Sequence, residues 1–189
     1  MRWLAALLLV LVASPARAGD CLARLADDHV AYRRAAQAGV ELGVRLAGPL
    51  DGVALVGAPA VIDCSLAVSL DRAARYLRAL GVSQVTLAPV RGGRGLAIDL
   101  VALAGTRFGA AVVTRDFERG LGDEIDCVGA PRTAPAEALK VIECQLVRSG
   151  LFSAVRSPDF DDAHRDRLEL EVRPWSERTA LRSPVPAMH

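Results

Sequence analysis

The chain lacks an excess of charge of either sign, and this absence limits its partners. It carries 23 Lys and Arg residues against 22 Asp and Glu residues. A protein that binds nucleic acid or an anionic membrane surface by charge needs a basic surplus. The composition therefore argues against both partners. Lysine is also scarce, because Lys140 is the only one; this is typical of GC-rich coding and indicates no function by itself.

Several motifs that carry chemistry are missing too. The sequence has no C-x-x-C pair, so its cysteines do not follow the spacing of a thiolate zinc site. It has no G-x-S-x-G elbow, which argues against a serine hydrolase of that type. Internal repeats and low-complexity tracts are absent as well. No motif therefore supports a thiolate zinc site or a serine hydrolase.

No apolar run in the sequence is long enough to cross a bilayer comfortably. The chain begins with the basic Arg2, an apolar run over residues 4–12 and the sequence Ala16-Arg17-Ala18. This combination predicts a secretory signal peptide over residues 1–18. Its cleavage would remove Arg2 and Arg17 and leave 21 basic against 22 acidic side chains. We therefore expect a periplasmic or secreted protein without membrane association.

Four cysteines follow the predicted cleavage site: Cys21, Cys64, Cys127 and Cys144. An even number of cysteines in an exported chain predicts disulfides, here two. Four cysteines allow three pairings, and spacing alone does not decide among them. We predict the pairing that is most local in sequence, Cys21–Cys64 with Cys127–Cys144.

Apolar periodicity predicts two main helices. Leu66, Leu70, Ala73, Leu77 and Leu80 form one stripe of a helix over residues 65–80. Gly81 stands where a helix usually stops. A second helix begins around Pro135 and runs to residues 149–150, with Leu139, Ile142 and Leu146 facing inward.

The remaining periodic segments predict short strands. They fall at residues 44–46, 53–56, 84–89, 96–103, 107–114 and 168–173. After Trp175 the chain is polar with no periodicity, which is typical of disorder. The sequence therefore predicts an α+β domain over residues 19–175, a small antiparallel sheet packed with two main helices, and a disordered tail over residues 176–189.

One predicted strand carries a single carboxylate in an apolar run. Alternation places Asp99 on one face with Ala97, Val101 and Leu103, and places Leu96, Ile98, Leu100 and Ala102 on the other face. Both faces are largely apolar, so this strand is predicted to be central in the sheet. A buried carboxylate without a partner is costly. Asp99 is therefore expected to have a cation, a metal or several N–H donors beside it.

Four segments resemble the extensin-like C-terminal domain family, in matching order over most of residues 21–175. Residues 90–99 resemble its S-x-H-x-x-G-x-A-x-D segment. Residues 157–171 resemble its G-P-D-Y…H-x-D-H-F-H-L-D close. Residues 59–67 are similar to its P-A-x-L-x-C-x-L-A helix entry, and residues 21–25 look like its usual start. The resemblance implies the fold of zinc D-Ala-D-Ala peptidases and hedgehog-like domains.

The resemblance also implies where a metal would have been held. In that fold a strand Asp, a turn His and the last His of an H-x-H strand bind zinc, which acidifies a water for amide hydrolysis. Here only Asp99 keeps the family's residue. The turn His falls on Gly92, and the H-x-H pair becomes Arg167 and Glu169. Two carboxylates beside a permanent cation make a poor zinc site.

We therefore expect a degenerate, non-catalytic cleft without a cofactor. Our hypothesis is that an Asp99–Arg167 ion pair takes the place of the metal, with Arg91 or Arg94 available to Glu169. The alternative is that backbone amides alone satisfy Asp99.

Three functions remain open at this point. The first is an exported protein whose cleft binds a cell-wall peptide or a protein partner. The second is a zinc-dependent cell-wall hydrolase that uses substitute ligands such as Asp99, Glu169 and His164. The third is an exported structural or interaction protein in which the cleft has no role. Fold analogy by itself does not choose among them.

Overall fold

Residues 18–57, 61–90, 93–121, 127 and 129–180 are described by the structure, which is a computed structural model. The predicted signal peptide, apart from Ala18, lies outside these residues. The helices are α1 (Ala18–Asp27), α2 (Cys64–Ala79), α3 (Val113–Asp116), α4 (Ala134–Arg148) and α5 (Trp175–Ala180), and a 3-10 turn spans Asp162–His164. The strands are β1 (Tyr32–Arg34), β2 (Gly43–Leu46), β3 (Ala54–Val56), β4 (Ile62–Asp63), β5 (Val82–Pro89), β6 (Ala97–Gly105), β7 (Gly109–Val112), β8 (Ala154–Arg156) and β9 (Leu168–Glu171).

The structure confirms an α+β fold with two main helices. Helix α2 begins where Asp63 accepts hydrogen bonds from the Ser65 backbone N–H at 2.8 Å and the Ser65 hydroxyl at 2.6 Å. These bonds satisfy a donor that the first helical turn leaves free. The helix ends before Gly81, whose φ of +87° suits a residue without a side chain. Its bounds agree with the predicted helix within one residue at each end.

Helix α4 also follows the prediction. The Thr133 side chain accepts a hydrogen bond from the Ala136 backbone N–H at 3.3 Å, and Pro135 lies in the first turn. Proline fits there because its missing N–H would have no partner within the helix. The three predicted inward residues of this helix are all buried: Leu139, Ile142 and Leu146.

The strands form two sheets rather than one small antiparallel sheet. The first is antiparallel, in the order β1-β2-β4. The second has six strands, in the order β3-β5-β6-β9-β8, with β7 paired to β6. Strands β3 and β5 are parallel, and helix α2 lies in the connection between them. A parallel pair needs such a crossover, so the sheet is mixed and larger than predicted.

Strand β6 contains a bulge that the sequence analysis missed. Thr86 pairs with Ala102 and Leu87 pairs with Leu100, so Val101 is an extra residue opposite β5. The extra residue changes the phase of the strand. Leu103 is 2% exposed and joins the core, whereas Ala102 is half-buried. The predicted alternation therefore holds through Leu100 and is wrong beyond it.

The two main helices cover one face of the six-stranded sheet. Helix α2 contacts β5, helix α4 contacts β7 and β8, and the two helices contact each other. Apolar side chains from both helices and from β5, β6 and β9 meet there: Leu70, Leu77, Leu146, Val85, Leu87, Leu100 and Leu170. This face holds the main core, and the side chains at alternate positions of the same strands point away from it.

Both disulfides have the predicted pairing. Cys21–Cys64 joins α1 to the first residue of α2, with 6.2 Å between the Cα atoms. Cys127–Cys144 joins the segment before α4 to the helix itself, with 5.6 Å between the Cα atoms. Both separations are ordinary for a disulfide.

The predicted tail needs a correction at its start. Residues 176–180 belong to helix α5, because Trp175 packs against the core and begins the helix there. Residues 181–189 lie outside the described part of the chain.

Candidate functional site

The open face of the six-stranded sheet carries a row of charged side chains. The strand registers place Ala88 opposite Asp99, Asp99 opposite Glu169, and Glu169 opposite Arg156. Residues opposite one another in adjacent strands point to the same face. The charged row therefore crosses β6, β9 and β8 on the side away from the core, with Ala88 of β5 beside it. Its Asp99 and Glu169 are the two carboxylates that the sequence analysis placed in the cleft.

Arg156 holds one end of this row. Its guanidinium donates to the Glu169 carboxylate through Nη1 and to Glu171 Oε2 through Nη2, the latter at 2.8 Å. The pKa of Arg156 is raised above its ordinary value, mainly by the hydrogen bond to Glu171. One cation thus bridges two carboxylates that lie two residues apart on β9. The sequence analysis named Arg91 or Arg94 as available to Glu169; among the described residues, the cation in contact with Glu169 is Arg156.

The sequence analysis missed Arg156 because of the character of strand β8. Val155 is its one buried residue, so the segment gave little periodic signal. Arg94 is exposed, and Gly92 and Arg91 lie outside the described residues. The predicted site residue Gly92 is therefore not placed by the structure.

Asp99 and Arg167 lie next to each other, as the sequence hypothesis required. Arg167 Nε is 3.6 Å from Asp99 Oδ1. The same guanidinium donates to Asp166 at 2.8 Å and to the carbonyl oxygen of Ala163 at 2.6 Å. Arg167 therefore links the loop before β9 to the carboxylate on β6.

The contact with Arg167 offsets only part of the cost of burying the Asp99 carboxylate. Asp99 is 9% exposed, and its Oδ1 accepts no hydrogen bond from the described residues. Burial raises the pKa of this carboxyl; Arg167 opposes the rise, and Glu169 adds to it. Asp99 is thus a buried acid whose charge is matched by a cation at a distance longer than a hydrogen bond.

His164 lies between two carboxylates at the edge of the row. Its Nδ1 is 2.6 Å from Asp161 Oδ1, and its Nε2 is 3.7 Å from Glu169 Oε2. The hydrogen bond from His164 lowers the pKa of Asp161. The sequence analysis named His164 as a substitute ligand of the alternative zinc hydrolase, and the structure places it in the 3-10 turn beside the cleft.

An aromatic side chain completes the surface. Phe160 is 58% exposed, an unusual position for a large apolar residue in a charged cluster. Its ring meets the His164 ring edge-on with 5.6 Å between the centroids. The guanidinium carbon of Arg156 lies 5.9 Å from the Phe160 centroid, within range of a cation–π contact. The sequence held no signal for this grouping, because it depends on the pairing of β8 with β9.

The donor set at this face does not fit zinc. Among the described residues, no group of three or more His, Cys, Asp and Glu side chains is arranged to hold a metal ion. Asp99 has the fixed charge of Arg167 beside it, and Glu169 is bound by Arg156. A permanent cation next to a carboxylate opposes a divalent metal there. What the arrangement offers instead is a surface with both signs of charge, on which five carboxylates outnumber two arginines.

No model of a protein family matches this chain, and neither a curated protein nor a solved structure matches it. The resemblance to the extensin-like family therefore stays a prediction from the four sequence segments. In the part of the chain that the structure describes, no helix is both long enough and apolar enough to span a membrane.

Proposed function

We propose that the protein is an exported binding protein with a degenerate, non-catalytic peptidase-type cleft, and that the open sheet face binds a cell-wall peptide. The observation that carries the proposal is the position of Arg167, 3.6 Å from Asp99. Asp99 is the one residue that keeps the metal-ligand identity of the resembled family. A guanidinium in that place supplies fixed positive charge and remains protonated, so it replaces a metal electrostatically but does not act as a general base.

The chemistry of the face suits a short peptide with free carboxylate and amino groups. Arg156 and Arg167 present planar donors that match carboxylates. Glu171 has a side chain that is 38% exposed and can accept from an ammonium group. Phe160 adds an exposed apolar surface beside Arg156. A bound ligand would replace ion pairs within the protein by ion pairs between protein and ligand. Such a replacement contributes more to the specificity of binding than to its affinity.

Two measurements test this proposal. Elemental analysis of the oxidised mature protein, after dialysis against trace zinc, is expected to find no stoichiometric zinc. Calorimetric titration with muropeptides is expected to show binding that Arg167→Gln weakens. Arg107→Gln, on the hairpin turn away from the row, is the matched control and should leave binding unchanged. If the titration shows no heat of binding, or if Arg167→Gln binds as tightly as the wild type, the proposal of a peptide ligand is rejected. A protein partner is then the next candidate.

Export is tested separately. N-terminal sequencing of the protein recovered from its native host is expected to begin at Gly19, as cleavage after Ala18 requires. A chain that keeps Met1 would contradict the export part of the proposal.

The alternative is a zinc-dependent hydrolase of cell-wall peptides with substitute ligands. One contact favours it: His164 Nε2 lies only 3.7 Å from Glu169 Oε2, so an imidazole and a carboxylate already share the cleft. The zinc measurement decides between the two functions. Near-stoichiometric zinc that is lost on Asp99→Ala would establish the hydrolase and overturn the non-catalytic cleft.

A further inference from the structure

The three-stranded sheet carries two arginines side by side on its outer face. Arg33 of β1 lies directly opposite Arg45 of β2, and both are exposed. Val44, next to Arg45, is buried in the main core with its partner Ile62, on the face that helix α2 covers. Successive side chains of a strand point to opposite faces. The two arginines therefore point away from the core.

Backbone hydrogen bonds fix the register of this arginine pair. On one side of it, the Ala47 N–H donates to the Ala31 carbonyl oxygen at 2.8 Å. On the other side, the Ala35 N–H donates to the Gly43 carbonyl oxygen at 3.0 Å. Residues directly opposite one another in adjacent strands have their Cβ atoms about 4.5–5.5 Å apart. The two guanidinium groups can therefore reach the same small ligand.

The protein itself does not match the positive charge of this pair. Within the described part of the chain, neither guanidinium makes an ion pair or a hydrogen bond, and the nearby Glu41 makes none with them. Asp63 shares their face, because it lies opposite Gly43 on β2, but it is buried and caps helix α2. Like charges directly opposite one another in a sheet are destabilising. The arginine pair is thus held in place at a cost that no contact of its own offsets.

Protection of a sheet edge explains only part of this pattern. Charged side chains on an edge strand prevent pairing with another chain, and Arg33 and Arg34 lie on the edge strand β1. Arg45 lies on β2, the central strand of the three-stranded sheet, where there is no edge to protect. The position of Arg45 beside Arg33 therefore points to an external anion that offsets the repulsion.

We propose that Arg33 and Arg45 bind a phosphate group with two negative charges, either inorganic phosphate or the monoester of a small molecule. A guanidinium is planar, remains charged, and pairs with phosphate oxygens through two parallel hydrogen bonds. A phosphate monoester carries a charge of about −1.5 to −2 at pH 7, which the two guanidinium groups match. A carboxylate or a phosphodiester carries a single negative charge and matches the pair less well.

The charge distribution of the whole chain favours a single phosphate group over a polyanion. Without the predicted signal peptide the chain has 21 basic against 22 acidic side chains, and a polyanion needs an extended basic surface. On the open face of the six-stranded sheet, five carboxylates outnumber two arginines, so that face repels phosphate. The phosphate site is independent of the peptide-binding role proposed for the open face.

Calorimetric titration tests the proposal on the oxidised mature protein, at constant ionic strength and about pH 8, where phosphate monoesters are doubly charged. Inorganic phosphate and glycerol 1-phosphate are the two probes, and binding of one alone identifies the source of the phosphate group. Acetate and dimethyl phosphate are expected to bind at least about tenfold more weakly. If neither probe binds, or if dimethyl phosphate binds as tightly as they do, the proposal is wrong.

Variants assign the binding to the arginine pair. Arg33→Gln and Arg45→Gln are each expected to weaken phosphate binding about tenfold or more. Arg34→Gln is the matched control, because Arg34 is exposed and makes no ion pair among the described residues but points to the opposite face of β1. Its affinity for phosphate should stay near that of the wild type. An equal loss in all three variants would reveal an effect of net charge and contradict a defined site.

Thermal unfolding of the same variants provides a readout of opposite sign. Without phosphate, Arg33→Gln and Arg45→Gln remove the repulsion and are expected to raise the unfolding temperature by roughly 1–3 °C. Added phosphate is expected to stabilise the wild type more than either variant, because a ligand stabilises the state that binds it. Two variants that unfold below the wild type without phosphate, or an equal gain from phosphate in all proteins, would count against the site.

Discussion

The two faces of the six-stranded sheet come from the same strands but are held in different ways. On the core face, Leu100 and Leu170 are covered by helices α2 and α4. On the open face, Asp99 and Glu169 lie next to them in sequence and are held by arginines from β8 and from the loop before β9. Apolar burial is strong and not directional, whereas ion pairs near water are weak and specific. Stability should therefore come mainly from the core face, and ligand recognition from the open face.

The largest effect is expected from breaking the core face at Leu100. Leu100 is 1% exposed, so Leu100→Ala removes buried apolar surface and leaves a cavity. We expect a loss of about 2–5 kcal/mol in the free energy of unfolding. Urea denaturation with intact disulfides measures it. Val101→Ala, at the half-buried bulge one residue later, is the control, with an expected loss of about 1 kcal/mol or less. Similar losses in the two variants would contradict the division between the faces.

A smaller loss is expected from breaking the open face at Arg156. Arg156→Met leaves Glu169 and Glu171 without their shared donor, so we expect a loss of about 1–3 kcal/mol at pH 7. The loss should shrink at high salt, because dissolved ions screen charge pairs near the surface. Arg115→Met, in the exposed pair with Asp116, is the matched control, with a much smaller expected change. A loss that does not depend on salt would assign the role of Arg156 to packing.

The charge of Asp99 should reduce stability slightly at neutral pH. Burial raises the pKa of this carboxyl, so the folded protein holds the proton more tightly than the unfolded chain. The stability from this group is present below the unfolded pKa of roughly 3.9 and is lost as pH rises through the raised value. Asp99→Asn is therefore expected to gain stability at pH 7 and to lose that advantage toward pH 3. Thermal unfolding across this pH range measures the difference.

Asp116 supplies a control of opposite sign. Its hydrogen bond from Arg115 lowers its pKa, so its stabilising effect is present above the unfolded pKa and is lost as pH falls through the lowered value. Asp116→Asn should accordingly be less stable than the wild type at pH 7. If both variants shift in the same direction, the charges of the two carboxyls do not explain the result.

The smallest effect on stability is expected at Phe160. Its ring is 58% exposed, so Phe160→Ala should change the free energy of unfolding by no more than about 0.5 kcal/mol. The same change removes the apolar surface beside Arg156 and should weaken muropeptide binding. Denaturation and calorimetry on one preparation test both parts. Unchanged binding would restrict the recognition surface to the charged residues.

The sequence was sufficient where a feature depends on local pattern. Helix α2 follows from the cap at Asp63, the apolar stripe and Gly81, which lie within twenty residues of one another. The Cys127–Cys144 pairing is local as well, with a separation of 17 residues. The contact between Asp99 and Arg167 was within reach because alternation fixes which face of a strand a side chain occupies.

The features that the sequence analysis missed depend on long-range pairing. Arg156 contacts Glu169 only because β8 forms the edge strand beside β9. A segment of three residues with one buried side chain has too little periodicity to predict a strand. The bulge at Val101 depends on the register between β5 and β6, which periodicity within one strand does not contain. Pattern alone predicted the two main helices, whereas the pairing of β8 with β9 brings Arg156 into the site.

The bulge also bears on how this protein could change over evolutionary time. Val101 divides β6 into a first part that pairs with β9 and a second part that pairs with β7. Because the phase of the strand resets at Val101, the hairpin beyond it can gain or lose residues without shifting Asp99 to the other face. The hairpin is therefore a replaceable module, and the charged row can be inherited unchanged while its neighbour diverges.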